Sequence, residues 1–300
     1  MPTHERALCI IRRLLPALVA VLLIPIVTGG CSMGQVVARG AVPILDGGVE
    51  AMNRETDLDL ARAAIPANLK LLEGLVMEDP RNADLRIFTA QGFYAYAFSF
   101  IEPEDPQRAA RLYRRCYEHG LAALQQAGFE LDPSATSAGE LEKAVGRLGE
   151  SAVPALFWTA SCQAKWIDMR RHDPNSIAEM ASAATLMSRV LALDERYYYG
   201  GPHLFFGVYY GSRAPMLGGN YALAEEHFRK ANEINDGKLL IVDVLYAQYL
   251  ARQRMDRTAF NQRLTHVIDA PENLFPEMAF VNTLSRQRAQ ELLDHEAEWF

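Results

Sequence analysis

Apolar residues recur every three or four positions along almost the whole chain, and no convincing strand run appears. That spacing predicts helices and no strands. Helices are expected over Leu58–Val76, Leu85–Phe100, Arg108–Gln126, Ser151–Met169 and Ile177–Leu193. A second group is expected over Leu204–Tyr210, Tyr221–Ile234, Leu239–Arg252, Arg257–Ile268 and Ser285–Trp299. Turn residues punctuate them: "EDPRN" ends at Asn82, which is placed to cap the next helix, and "EPEDPQ" separates the next pair. Pro154 falls in a first helical turn, where proline is tolerated.

Helix hairpins in series suggest repeats. "GNYALAEEHFRKANEIND" carries Gly219, Ala224, Phe228 and Ala231 at the offsets of a tetratricopeptide second helix. Small alanines suit two helices that cross closely, and Phe228 lies one turn from each to fill the groove. Phe206, Gly207 and Tyr210 supply the helix before it. Other copies are degraded. The fold expected is all-α, a superhelical stack of degenerate tetratricopeptide-like hairpins. One departure stands out. Between Gly207 and Gly219 the chain runs roughly five residues longer than an ordinary repeat. The extra residues carry Arg213, Pro215 and the Gly218–Gly219 pair, so the helix should stop and a fixed loop should follow.

The N-terminus breaks the helical pattern. Arg6, Arg12 and Arg13 precede the apolar run Leu14–Val27. As a helix that run is roughly 21 Å long, short of a hydrocarbon core of roughly 30 Å. It reads as a secretory signal. "VTGGCS" resembles a bacterial lipobox, with Thr28 where leucine is usual, and it makes Cys31 the lipidation site. An ordinary signal peptide with a chance cysteine is the plainer alternative. Residues 1–30 are thus a signal, 31–40 a lipidated linker and 41–300 one helical domain. Ser32 after the cysteine favours the outer membrane over the inner.

Composition narrows the rest. The chain has 300 residues, half of them hydrophobic, and a formal net charge of −7. Basic residues are scattered, so no nucleic-acid partner is expected. Cys116 and Cys162 sit among aromatics at helical spacing and read as two buried thiols. An oxidising compartment also permits a bond between them. No HExxH, GxSxG or Walker loop occurs, and the cysteines lack zinc spacing. Neither an enzyme nor a cofactor or metal site is expected.

Three features together resemble the T-component family of TRAP transporters (TatT). They are the lipobox Cys31, "DPRNADLRIFTAQGFYAYAFSFIE" and "GGPHLFFGVYYGSRAPMLGGNYALAEEHFRKA". The resemblance runs from about Gly40 to the C-terminus. It implies a helical lipoprotein with a pore, assembled as a homotrimer. It also implies pairing with a periplasmic solute-binding P component and a small hydrophobic or organic-acid ligand.

Against that background, the candidate ligand- or pore-facing aromatics are Phe98, Trp158, Trp166, Tyr199, Tyr209 and Tyr210. For each, inter-hairpin core is the bland reading. Five aromatics between Phe93 and Phe100 are more than one buried stripe needs, and hydroxyl or indole groups need a wet or bonded partner. Arg213 and Met216 come from the long loop, where Arg213 offers a fork for a carboxylate or a solvated charge. His203 is a candidate for a pH response or a structural histidine. Lys165 reads as solvated or snorkelling. A tetratricopeptide scaffold for outer-membrane assembly or secretion is the alternative function. It should expose Asn, Lys and Arg on a concave face, where a ligand tunnel should show aromatics around a closed cavity.

Overall fold

The computed structural model describes residues 32–170 and 174–300, and in it the side chains of residues 171–178 are not described. The signal segment and Cys31 lie outside the described residues. The chain is 78% helical, with thirteen α-helices and no strand among the described residues.

Two N-terminal helices come first, α1 (Met33–Asn53) and α2 (Leu58–Glu78). Then come α3 (Ala83–Tyr96), running into a π turn at Ala97–Ile101, and α4 (Pro106–Gln126). The middle holds α5 (Ala138–Gly146), α6 (Val153–Asp168) and α7 (Pro174–Leu193). Next are α8 (Tyr197–Gly211) and α9 (Tyr221–Ile234). The C-terminal group is α10 (Ile241–Leu245), which runs into a second π turn at Tyr246–Ala251, α11 (Arg257–Asp269), α12 (Ala279–Asp294) and the short α13 (Glu296–Trp299).

Local chemistry explains several starts. Asn82 accepts from the Leu85 amide at 3.2 Å, and Asp105 and Asp256 cap α4 and α11 in the same way at 2.9 and 3.0 Å. The segment expected to be a linker, up to Gly40, is instead helical. Ser32 and Gln35 form a capping box, at 3.1 and 3.2 Å, that starts α1. Ala38 then packs beside Val76 and Leu85, and Arg39 pairs with the buried Asp79 at 2.8 Å.

Two cores result. One gathers residues of α2–α8 together with Phe280 of α12, and the other is built from α9–α12. Helix α8 is packed against both α7 and α9, and its end lies on the second π turn. Helix α12 returns to touch α1 and α2, which brings the C-terminal core against the N-terminal helices.

Close helix approaches follow from small residues. A Cβ on Gly207 would sit 3.0 Å from the Phe228 ring, and one on Gly211 would sit 3.4 Å from the Ala224 Cβ. Ala224, Phe228 and Ala231 are all buried at the α8–α9 contact or behind it. Between α4 and α6, a Cβ on Gly120 would be 3.0 Å from the Thr159 backbone. One turn earlier on α4, Cys116 is bonded to Cys162, with their Cα atoms 5.5 Å apart. Of the two readings left open, two thiols or a bond, the bond is the one formed: the approach that Gly120 permits brings the two sulfurs together.

Candidate functional site

A half-open chamber of about 730 Å³ lies between the cores. Its walls come from α1, α2, α3, α6, α8, α10, α12 and both π turns, and they are mostly aromatic and aliphatic. A chamber of this size suits a small organic ligand.

The first π turn shapes one wall. Five aromatics from Phe93 to Phe100 cannot share one α-helical face. The π turn shifts the register, so Phe98 and Ser99 face the chamber while Phe100 packs against Phe280. It also frees a carbonyl. The Glu102 amide donates to Ala97 at 2.9 Å, five residues back. The next amide that could serve Phe98 belongs to Pro103, which has none. Arg288 supplies the missing donor: its Nη2 bonds the Phe98 carbonyl and its guanidinium lies 3.9 Å over the Phe98 ring.

A charged cluster sits beside it. Lys165 Nζ donates to Glu102 at 2.6 Å and reaches Asp168 at 3.5 Å. Tyr113 donates to the other Glu102 oxygen at 2.6 Å. Lys165 is therefore a part-buried, paired chamber residue and not a solvated one. Burial alone would lower its pKa, but Glu102, Tyr249 and Asp168 outweigh burial and raise it. Burial pushes Tyr94 and Tyr198 up to about 12, so both stay neutral donors.

Trp158 lines the chamber from α6, edge-on to Tyr94 at 5.6 Å and to Tyr198 at 5.2 Å. Tyr198 reaches this place through a left-handed break in α8: φ is +49° at Tyr198, +60° at Tyr199 and +84° at Gly200. Two tyrosines in that region are strained, and packing must hold them. A Cβ on Gly200 would meet the Ala231 backbone at 3.3 Å.

The long loop is tied by its own backbone hydrogen bonds. Leu217 and Gly219 donate back to the Ala214 carbonyl at 2.8 and 3.1 Å, and Asn220 donates to Tyr210 at 3.0 Å before capping α9. Gly218 takes φ +85°, and a Cβ on Gly219 would overlap the Arg213 carbonyl at 1.8 Å. Both glycines are thus required by the turn.

A family description, TRAP transporter T-component, matches residues 54–300. The chain belongs to that family. A protein of Treponema pallidum (strain Nichols), described as uncharacterized, is 22% identical over 262 residues, covering 82% of this chain and 81% of its own. The family is one of transporter components, not of enzymes.

In this T component, Phe98, Trp158, Tyr209 and Arg213 line the chamber. Arg213 does not present its fork there. Nε and Nη2 donate to the Tyr209 carbonyl at 3.3 and 2.9 Å, and the guanidinium lies 4.1 Å over the Tyr209 ring, so it staples the loop.

The other five candidates stand elsewhere. Trp166 is sandwiched by Tyr117 and Arg170. Tyr199 is 38% exposed, edge-on to Phe275. Tyr210 stacks on Phe206 and His227, on the α9 side of α8. Met216 is 90% exposed at the loop tip. His203 is 2% exposed, with its Nδ1 2.9 Å from Nδ1 of His227 and its Nε2 3.2 Å from Glu195. One Nδ1 of the pair must carry the shared proton. Burial and the His203 neighbour lower the His227 pKa to about 4. Sequence reasoning reached Tyr94 and Tyr198 only as members of crowded aromatic runs, and it passed over Glu102 and Tyr249, whose only signals were a glutamate beside a helix-ending proline and a surplus tyrosine.

Proposed function

We propose that this protein is the periplasm-facing T component of a TRAP uptake system. It holds a small hydrophobic or organic-acid ligand in the chamber and exchanges it with a solute-binding P component. The observation that supports this reading is the chamber itself: about 730 Å³, walled by aromatics, with its buried ions already neutralised. Such walls take up an apolar body, and a few fixed polar groups set its orientation.

The remaining parts follow from the same reading. Residues 1–30 are removed as a signal, acylated Cys31 tethers the chain, and Ser32 directs it to the outer membrane. Among the described residues no helix is long and apolar enough to cross a membrane. The hairpins of residues 41–300 form a tetratricopeptide-like superhelical stack, and three copies assemble. Leu217 lines the chamber while Met216 beside it projects outward. The loop between Gly211 and Gly219 is therefore the lip against which the P component docks.

The test is native mass spectrometry of the protein, alone and with each solute-binding protein of its own organism. A trimer that carries a small amphiphile and binds one P component is expected. A monomer without ligand that ignores every P component and captures unfolded outer-membrane chains would sink this reading.

A further inference from the structure

Ser212 and Tyr249 line the chamber and also a second pocket of about 510 Å³. The two spaces therefore meet at those side chains. The end of α8 lies in van der Waals contact with the second π turn there: a Cβ on Gly211 would lie 3.5 Å from the Tyr249 carbonyl and 3.4 Å from the Leu250 Cβ. The second pocket differs in chemistry. Gln248, Arg252 and Gln253 come from the second π turn and its end, and Trp299 of α13 lines it too.

Arg252 is the unusual group in it. Its guanidinium lies 3.7 Å over the Trp299 ring. The face of the cation is thereby covered, and its in-plane N–H donors point away from the ring. Among the described residues that guanidinium has no hydrogen bond or ion pair, although the side chain is half-buried. Burial lowers its pKa, as expected for a cation without a matching anion. Glu298, on the rim, is exposed and forms no ion pair with it.

The other cations at the chamber are engaged. Lys165 faces two carboxylates, so a third anion there would meet like charge. Arg213 is bonded to the Tyr209 carbonyl, and Arg288 to that of Phe98.

We propose that the Arg252 pocket is the anion subsite of an amphipathic carboxylate, whose hydrocarbon tail passes between Ser212 and Tyr249 into the chamber. The proposal rests on the chamber holding an apolar ligand. Arg252 binds the head in two charge-assisted hydrogen bonds, and Gln248 and Gln253 offer amide donors beside it.

Equilibrium dialysis of the full chain with decanoate and with decanol tests this. The two probes share a tail and differ in charge. Decanoate is expected to bind at least about tenfold more tightly. Arg252→Gln should remove that preference and leave decanol unchanged, and Arg229→Gln, at an exposed position of α9, should leave the preference intact. Across hexanoate, octanoate and decanoate, affinity should rise roughly fourfold per added CH₂, as the tail enters the chamber.

Thermal unfolding establishes that both variants are folded. Equal binding of the two probes, or a preference that survives in Arg252→Gln, overturns the subsite and leaves the chamber reading standing. Carboxylate binding with no gain along the chain-length series overturns the passage between the two pockets. Failure of both probes to bind at all overturns the chamber reading and the subsite with it.

Discussion

The two π turns, Ala97–Ile101 and Tyr246–Ala251, use the same backbone device to different ends. Each widens a helix, brings an aromatic to the chamber and is followed by a helix capped by aspartate, Asp105 or Asp256. Around the first, the polar groups that the turn disturbs are closed off. Arg288 takes the Phe98 carbonyl, Arg62 reaches the Phe100 carbonyl at 3.5 Å, and Glu102 is held by Lys165 and Tyr113. Around the second, Tyr246 donates to Glu225, but Arg252 stands over Trp299 without an anion. A closed turn is a structural wall. An open one, half-buried and cationic, is prepared for something that arrives.

The comparison is broken most severely at Lys165. Lys165→Met leaves Glu102 as a part-buried anion held by Tyr113. Removing one partner of such a pair should cost about 3 kcal/mol in urea unfolding. Adding Glu102→Gln should recover most of that loss, because the uncompensated charge is gone. An unchanged midpoint for the single variant would show that the cluster is solvated and that the first turn is not closed.

Arg288→Ala comes next. It removes the donor that replaces the amide Pro103 lacks. An orphaned, half-buried Phe98 carbonyl should cost about 2 kcal/mol, read by the same unfolding experiment. Hydrogen exchange should also quicken between Ala97 and Glu102, and not around Tyr246.

Protonation sharpens the comparison further. His119, stacked on Phe93 behind the first turn, accepts from Arg86 at 3.2 Å and is neutral. Burial, then Arg86, lowers its pKa to about 4, with Glu73 opposing. The unfolded chain takes up a proton below about 6.5 that the fold refuses until about 4. Stability should therefore fall as pH drops through that window, by on the order of 1–2 kcal/mol, and flatten below it. His227, also lowered to about 4, contributes with the same sign. His119→Gln and His227→Gln should each flatten the slope of stability between pH 6.5 and 4. A slope unchanged in both would mean neither ring is neutral in the fold.

The helices were legible because their signals are local. Asn82, Asp105 and Asp256 cap where a polar residue precedes an apolar period, and Pro154 marks a first turn. The glycines of the long loop were legible as a stop, since proline followed by two glycines cannot continue a helix. What was not legible depends on distant partners. The Cys116–Cys162 bond needs the approach at Gly120 and Thr159, and Arg213 looked free until the Tyr209 carbonyl stood beneath it. Lys165 could be placed only by Glu102, 63 residues away. The π turns carry no sequence period of their own. Phe98 lies inside a run that an ordinary helix would have split between two faces. Ser32 and Gln35 were readable as a capping box, but the lipobox beside them drew the segment toward a linker.

The smallest effect on stability belongs to Arg252, and its smallness is informative. A cation that anchors the fold would cost several kcal/mol when removed, as Lys165 should. A cation that waits for a ligand contributes to the free protein only its contact with Trp299. Arg252→Gln should therefore change unfolding by less than about 1 kcal/mol, the range of an isolated cation–π contact. It should also relieve a half-buried charge, which offsets part of that loss. Adding decanoate should raise the melting temperature of the parent chain and leave the Arg252→Gln chain where decanol leaves it. A large loss of stability in the unliganded variant would make Arg252 a strut like Arg288. The two π turns would then be alike, and the difference drawn between them would fall.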